Sequence, residues 1–256
     1  MLSTALKQSS RRPLVVANWK MNGNSQSNTE LLFQFKRLWN GVHRAEVAIC
    51  APDVYLYQVA EILADSNVSS GAQDVSHYQS GAYTGETSAS MLVDVGCHYV
   101  IIGHSERRDY FSEDSALVAE KFIQAQSAGL IPIFCVGESL ACREQGAALE
   151  AIGQQLSTVV DAVGMNAFKQ AVVAYEPIWA VGTGCIATPE QVQEVHHFIR
   201  ERLVPVGDSL RILYGGSVKP ANAAQIFALP DVDGALIGGA SLNANDFYAI
   251  CQAAEL

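Results

Sequence analysis

The feature that most constrains the fold is a regular alternation between short apolar segments and longer segments with helical periodicity. The apolar segments, which we predict to be strands, cover residues 13–19, 47–51, 68–72, 99–103, 131–137, 171–176, 211–216 and 234–239. The helical segments cover residues 28–40, 54–64, 88–95, 114–128, 145–162, 189–203, 220–228 and 245–254. Several strand segments are apolar throughout, which is typical of parallel strands covered on both faces.

This alternation predicts an α/β fold built on a parallel sheet. Eight units in 256 residues give about 32 residues a unit, the length of one right-handed strand–helix crossover. So many units favour a closed (β/α)8 barrel, with a doubly wound open sheet as the alternative. Because no linker divides residues 13–256, we predict a single domain there. Residues 1–12 are basic and serine-rich, and we interpret them as a flexible N-terminal extension.

Charge and composition exclude several classes of protein. The chain has 16 basic and 26 acidic side chains, a net charge of −10, which argues against nucleic acid as a partner. No apolar stretch approaches the roughly 20 residues that span a bilayer, so we expect a soluble protein with no membrane partner. The six cysteines lack the spacing of a zinc site and indicate reduced thiols in the cytoplasm. Dinucleotide, P-loop and zinc-protease motifs are missing as well, so these three functions lack their primary signature.

In a barrel, the carboxyl ends of all strands lie on one rim, and that rim carries the chemistry. Glu176 ends an apolar strand and is followed by the apolar segment PIWAVGTG (177–184). Partial burial would raise the pKa of this carboxyl toward that of a useful base, and the segment after it suits a hinged lid that excludes water. A lone glutamate there could also be a solvated loop acid.

Three more polar residues end strands on the same rim. His104 precedes Ser105 and Glu106, which suit the first turn of a helix, so the positive helix end should keep its imidazole neutral. Asn18 and Lys20 are two residues apart, so we expect both side chains on one face of the first strand. A buried structural histidine and a salt bridge between Lys20 and Glu106 are the alternative interpretations.

Glycine pairs end the last two predicted strands, at Gly215-Gly216 before Ser217 and at Gly238-Gly239. Barrels often bind a phosphate through backbone N–H groups of these two loops, and glycine lets the backbone approach an anion closely. Either pair alone could be a tight turn, but both together indicate a phosphate site.

Seven strings carry a resemblance to a known family. In chain order they are ANWKMNG (17–23), GAYTGE (81–86), IIGHSERRDYF (101–111), CVGES (135–139), AYEPIWAVGTG (174–184), LYGGSVKPANA (213–223) and LIGGASL (236–242). Through them the chain resembles the triosephosphate isomerase family along nearly its whole length after residue 12. The resemblance implies a TIM barrel that interconverts dihydroxyacetone phosphate and D-glyceraldehyde 3-phosphate through an enediolate, in glycolysis and gluconeogenesis, without metal or cofactor.

The resemblance also implies a role for each matching residue. Glu176 would be the base, neutral His104 would polarise the carbonyl oxygens, and Lys20 with Asn18 would stabilise the oxyanion and the phosphate. This family is itself the standard example of such a base and neutral histidine beneath a closing loop. The implied phosphate donors are Gly182, Ser217, Gly238 and Gly239.

Four further residues are implied to support the site. Ser105 and Glu106 would lie just behind the reacting groups, while Val181 and Leu236 would form an apolar clamp over Glu176. The chain departs from the usual pattern at Val181, where isoleucine is common, and at Cys185, where lysine is common. Neither departure removes a reacting group.

The resemblance implies a homodimer in which one long loop enters the partner. That loop is Gln73 to Glu86, with Thr84 near its tip, and a polar loop of about 14 residues in a compact barrel usually has a function. Two alternatives to the isomerase remain at this point: another cofactor-free sugar-phosphate enzyme and a non-catalytic phosphate-binding barrel.

Overall fold

The predicted strands close into one parallel barrel in the computed structural model, which describes residues 11–180 and 187–256. Neighbouring strands pair in chain order, and β1 pairs with β8 to complete the ring. The closed (β/α)8 barrel is therefore confirmed, and the doubly wound alternative is wrong. The strands are β1 Leu14–Asn18, β2 Glu46–Ala51, β3 Val68–Ala72, β4 Cys97–Ile102, β5 Ile131–Glu138, β6 Val172–Pro177, β7 Arg211–Tyr214 and β8 Gly234–Ile237.

Helices cover the outside of the barrel. Within the described ranges they are α1 Ser25–Leu38, α2 Leu56–Leu63, α3 Ala89–Asp94, α4 Ser105–Phe111, α5 Ser115–Ser127, α6 Leu140–Glu144, α7 Ala148–Val163, α8 Pro189–Arg202, α9 Pro220–Phe227 and α10 Ala244–Ala253. No helix in this part of the chain is long and apolar enough to cross a membrane. Eight of these ten helices correspond to the predicted helical segments, and α4 begins at Ser105, where the sequence indicated the first turn of a helix. The sequence analysis missed α6, which has only five residues and shows no helical period.

Helix caps explain where two of these elements begin. Thr188 caps α8 by accepting a hydrogen bond from the Gln191 backbone N–H, and Pro189 occupies the first turn. The last helix begins at Ala244, earlier than predicted, because Asn243 accepts from two backbone N–H groups of its first turn.

Two apolar layers explain why the strands are apolar throughout. Alternate residues of β1 illustrate the arrangement: Val16 packs inside the barrel, whereas Val15 and Ala17 pack beneath the helices. Both faces are removed from water, so neither tolerates the regular polar positions of a half-exposed sheet.

The end of the predicted extension is fastened to the barrel. The Arg11 Nε donates to Asp233 Oδ1 at 2.6 Å, and the Arg12 Nε donates to the Arg44 carbonyl oxygen at 2.8 Å. Arg11 and Arg12, at the end of the predicted flexible extension, thus contact barrel residues that are remote in sequence. Residues 1–10 lie outside the described part of the chain.

Candidate active site

One cavity at the carboxyl ends of the strands brings most of the predicted site residues together. Its volume is about 330 Å³. The predicted residues that line it are Asn18, Lys20, His104, Glu176, Ser217, Leu236, Gly238 and Gly239. Val181, Gly182 and Cys185 lie outside the described residues. The rim thus carries the polar groups that the strand ends predicted.

Glu176 is buried in this cavity and held by its neighbours. Only 2% of the residue is exposed, which contradicts the solvated loop acid. Its carboxylate accepts from the Ser105 backbone N–H at 2.9 Å and from the Ser105 hydroxyl at 3.2 Å. The His104 Nε2 lies 2.9 Å from the Glu176 Oε1. Ser105 and His104 therefore fix the carboxylate at the edge of the cavity.

His104 caps the N-terminus of α4, as its sequence context predicted. The Glu106 backbone N–H donates to the His104 Nδ1 at 3.3 Å. A ring nitrogen that accepts a hydrogen bond carries no proton, so this contact leaves the proton on Nε2, which faces Glu176. The cap and the carboxylate together fix the orientation of the ring.

The two residues form a coupled pair, and their pKa shifts differ from the expectation. Burial raises the pKa of Glu176, but the His104 ring, the Ser105 backbone N–H and the Lys20 ammonium outweigh it, so the pKa lies below its ordinary value. Burial lowers the pKa of His104, but the Glu176 and Glu106 carboxylates outweigh it, and the net direction is upward. The predicted rise for Glu176 and fall for His104 are wrong for this arrangement, because each group stabilises the charge of the other.

Lys20 lies beyond the end of β1, so the alternation of side chains along a strand does not explain how it reaches the cavity. β1 ends at Asn18, and Lys20 has a φ of +52°, in the left-handed region. The Asn18 Oδ1 accepts from the Lys20 backbone N–H at 3.0 Å, and the Lys20 Nζ lies 2.5 Å from the Glu106 Oε1. The expectation of a shared strand face is thus wrong, although both side chains line the cavity. The salt bridge to Glu106 is present beside the cavity.

The two glycine pairs serve different purposes. A Cβ on Gly216 would lie 2.2 Å from the Tyr214 hydroxyl oxygen, so this pair is required by close packing. A Cβ on Gly238 would meet only the Lys20 Cε, at 3.5 Å, and one on Gly239 would meet nothing within 4 Å. A short 3-10 helix, Gly239–Leu242, begins at this open backbone. A helix start of this kind after the eighth strand is where barrels bind phosphate.

Comparison with known proteins identifies the family. The sequence model of the family described as triosephosphate isomerase matches residues 13–254. The chain belongs to the triosephosphate isomerase family. Among its relatives, the triosephosphate isomerase of Nitrosococcus oceani is 52% identical over 248 residues, which cover 95% of this chain and 99% of the relative. Those of Shewanella denitrificans and Thiobacillus denitrificans are each 54% identical, and their alignments cover 95% of this chain and 98% and 99% of the relative.

The chain is therefore an aldose–ketose isomerase of triose phosphates. Triosephosphate isomerases interconvert dihydroxyacetone phosphate and D-glyceraldehyde 3-phosphate, a step of glycolysis. The two alternatives that the sequence left open, another sugar-phosphate enzyme and a non-catalytic barrel, are wrong.

Sequence reasoning missed one buried carboxylate behind this triosephosphate isomerase site. Glu138 ends β5 and accepts from the Tyr175 hydroxyl at 3.0 Å and the Trp179 indole N–H at 2.8 Å. The Arg143 guanidinium donates to the same oxygen at 3.0 Å. Glu138 ends an apolar strand just as Glu176 does, so the same pattern could have indicated it. Its contacts hold the beginning of the segment that follows Glu176.

Proposed function

We propose that Glu176 is the base of this isomerase and moves the proton between the two adjacent carbons of the substrate. The proposal is supported by its burial, by its position at the cavity edge, and by hydrogen bonds that keep it ionised. A carboxylate already ionised at neutral pH can accept a proton without first losing one. The buried setting also keeps water from competing for the reacting carbon.

His104 polarises the substrate oxygens as a neutral hydrogen-bond donor. Its Nδ1 accepts from the α4 backbone, which supports a proton on Nε2, the nitrogen that lies 2.9 Å from the Glu176 carboxylate. When Glu176 takes the substrate proton, its negative charge disappears. The influence that most raises the pKa of His104 is then lost, and the neutral ring is favoured as the enediolate forms.

Lys20 and Asn18 stabilise the negative charge that develops on the substrate oxygen. Both line the cavity beside His104, and the cation is held in place by Glu106. Preorganised donors of this kind lower the barrier because they need no rearrangement during the reaction. Ser105 and Glu106 act by holding Glu176 and Lys20, and Leu236 forms the apolar wall, with Val181 predicted opposite.

The substrate phosphate binds at the loops after β7 and β8. Ser217, Gly238 and Gly239 line this side of the cavity, and the open backbone of the glycines suits N–H donation to an anion. Gly182 is predicted to complete the set. With the phosphate bound on this side of the cavity, the reacting carbons of the substrate lie between Lys20 and Glu176.

The protein acts as a homodimer. A second cavity of about 410 Å³ adjoins the first, shares Asn18, Lys20 and His104 with it, and is lined also by Met21 and Phe111. These two apolar side chains are 96% and 64% exposed, which is typical of an interaction surface. Residues 78–86, which include Thr84, are all exposed, and this loop of the partner would fill the second cavity.

The thiols support a cytoplasmic location. The described cysteines, Cys50, Cys97, Cys135, Cys142 and Cys251, are free, and four of the five are buried, as suits a reducing compartment.

The decisive experiment compares Glu176→Gln with the wild type. The assay follows conversion of D-glyceraldehyde 3-phosphate to dihydroxyacetone phosphate. We expect kcat to fall by at least about 10²-fold because the base is lost, while inhibition by inorganic phosphate is retained. The control is Glu120→Gln, which makes the same change at an exposed position of α5. Full turnover by Glu176→Gln would overturn the assignment of the base.

A further inference from the structure

A second lysine lies at the phosphate side of the cavity. Lys219 immediately precedes α9 and lines the cavity close to Ser217 and Gly239. Its side chain is exposed. Within residues 11–180 and 187–256, no carboxylate lies within salt-bridge distance of it. Its charge is therefore not neutralised by a neighbour.

The other cation of the cavity, Lys20, is paired with a carboxylate. Among the described lining residues, Lys20 is the only further lysine or arginine, and its ammonium is paired with Glu106 at 2.5 Å. Glu176 adds a negative charge to the same cavity. The positive charge that attracts an incoming anion on the phosphate side of the cavity therefore comes mainly from Lys219.

The substrate has to approach an acidic protein. The chain carries a net charge of −10, and a phosphate monoester carries about −1.5 to −2 at neutral pH. The long-range interaction between the two is repulsive, and a local cation at the mouth of a cavity counteracts it by focusing the potential there. A lysine suits this task because its ammonium is a mobile point charge on a flexible stem.

We propose that Lys219 steers the phosphate group of the substrate into the cavity and thereby raises kcat/KM. This role goes beyond the residues of the chemical step, and it rests on the proposal that the phosphate binds beside Ser217. Lys219 acts at a distance, through its charge, before the phosphate reaches the backbone donors. Its effect must therefore weaken as salt is added.

The test measures kcat/KM for D-glyceraldehyde 3-phosphate at several ionic strengths in Lys219→Met, Lys219→Glu and the wild type. At low salt we expect kcat/KM to be roughly threefold below the wild-type value in Lys219→Met and roughly tenfold below it in Lys219→Glu. Near about 0.3 M salt, kcat/KM of both variants should approach that of the wild type. The loss in kcat should be smaller than the loss in kcat/KM.

Lys169→Met is the matched control. Lys169 is exposed and lines a groove at the opposite end of the barrel, with Ile131 and Arg211 at the beginnings of β5 and β7. The variant makes the same change in net charge far from the cavity, so it should keep the wild-type dependence on salt. If Lys219→Met also follows the wild-type curve, or loses activity equally at all salt concentrations, the steering role is wrong.

A separate measurement distinguishes this failure from a wrong phosphate site. Competitive inhibition by inorganic phosphate is measured in Gly239→Leu and in the wild type, because Gly239 lines the cavity and has open space for a side chain that would block its backbone donors. Weaker inhibition in Gly239→Leu, together with no effect of Lys219→Met on kcat/KM, overturns the inference about Lys219 alone. Unchanged inhibition in Gly239→Leu instead contradicts the proposed phosphate site.

Discussion

At the scale of single residues, Glu176 and His104 act on each other more strongly than their positions in the sequence suggest. An isolated buried carboxylate and an imidazole at a helix N-terminus would each be neutral. In the structure the two lie 2.9 Å apart, and each favours the charged form of the other. The protonation of the site therefore depends on the pair, and it changes when the substrate proton arrives.

Replacing His104 tests its part in this pair. We expect His104→Gln to lower kcat by roughly 10²-fold or more, since a positioned donor to the developing oxyanion is lost. Steady-state kinetics at neutral pH measures the loss. His98→Gln is the control, because His98 lies on the same strand, β4, with an exposed side chain. Unchanged turnover in His104→Gln would show that the imidazole has no role in the chemical step.

The sequence identifies the residues of the site better than their chemical state. The ends of strands, read together, point to Asn18, Lys20, His104 and Glu176, and the cavity brings all four together. The pKa directions could not be predicted, because they depend on a contact between residues 72 positions apart. The left-handed backbone conformation of Lys20 could not be predicted from the periodicity of the sequence either.

At the scale of elements, α8 carries a buried titratable group against the strands that form the site. His196 is fully buried, and its Nδ1 donates to the Asp231 carbonyl oxygen at 3.1 Å. Burial lowers the pKa of His196 to about 4. Its ring lies 5.9 Å from the ring of Tyr175 on β6 and 6.4 Å from that of Tyr214 on β7. Protonation of His196 would thus place an unpaired charge between helix and barrel.

This arrangement predicts a loss of stability in acid. An unfolded histidine binds a proton near pH 6.5, whereas folded His196 does so only near pH 4. Between these values the unfolded state holds more protons, so the free energy of unfolding decreases as the pH falls, by about 3 kcal/mol in total from this group. Urea unfolding between pH 7 and 4 measures the decrease.

The matched pair of variants lies on one helix. His196→Gln should flatten the dependence on pH, even if its stability at pH 7 is lower. His197→Gln should keep the wild-type slope, since that side chain is 61% exposed. Equal slopes in all three proteins would contradict the assignment to His196.

Element prediction succeeded where a segment is long enough to show its period. The strands are apolar throughout because two layers cover them, and this pattern is visible in the sequence alone. The short helices α4 and α6 depend instead on caps: His104 accepts from the Glu106 backbone N–H, and Ser139 accepts from the Cys142 backbone N–H. The sequence around His104 indicated where α4 begins, whereas nothing in the sequence analysis indicated α6.

At the scale of the whole molecule, the site and the proposed dimer face lie side by side. Lys20 and His104 line both the active cavity and the adjoining second cavity. Anything that fills the second cavity therefore packs against residues of the first. Assembly and activity should be linked for this reason.

Disrupting the proposed interface tests that link. We expect Thr84→Arg to shift the protein from dimer to monomer, because it places a charge at the tip of the loop proposed to enter the partner, and to lower kcat/KM in parallel. Light scattering coupled to size-exclusion chromatography gives the mass of each form. Asn40→Arg adds the same charge at an exposed position after α1 and should remain dimeric. A wild-type monomer with full activity would contradict the proposed dimer.

Closure of the barrel joins parts of the chain that are synthesised far apart in time. Leu14 of β1 pairs with Gly234 of β8, and Arg11 is bonded to Asp233 beside this seam. β1, the first strand to be synthesised, thus cannot pair with β8 until the last part of the chain has been made. A chain released before β8 would keep two unpaired strand edges, which are templates for pairing with other chains. Incomplete synthesis should therefore yield aggregates that need clearance, instead of a shorter protein with part of the activity.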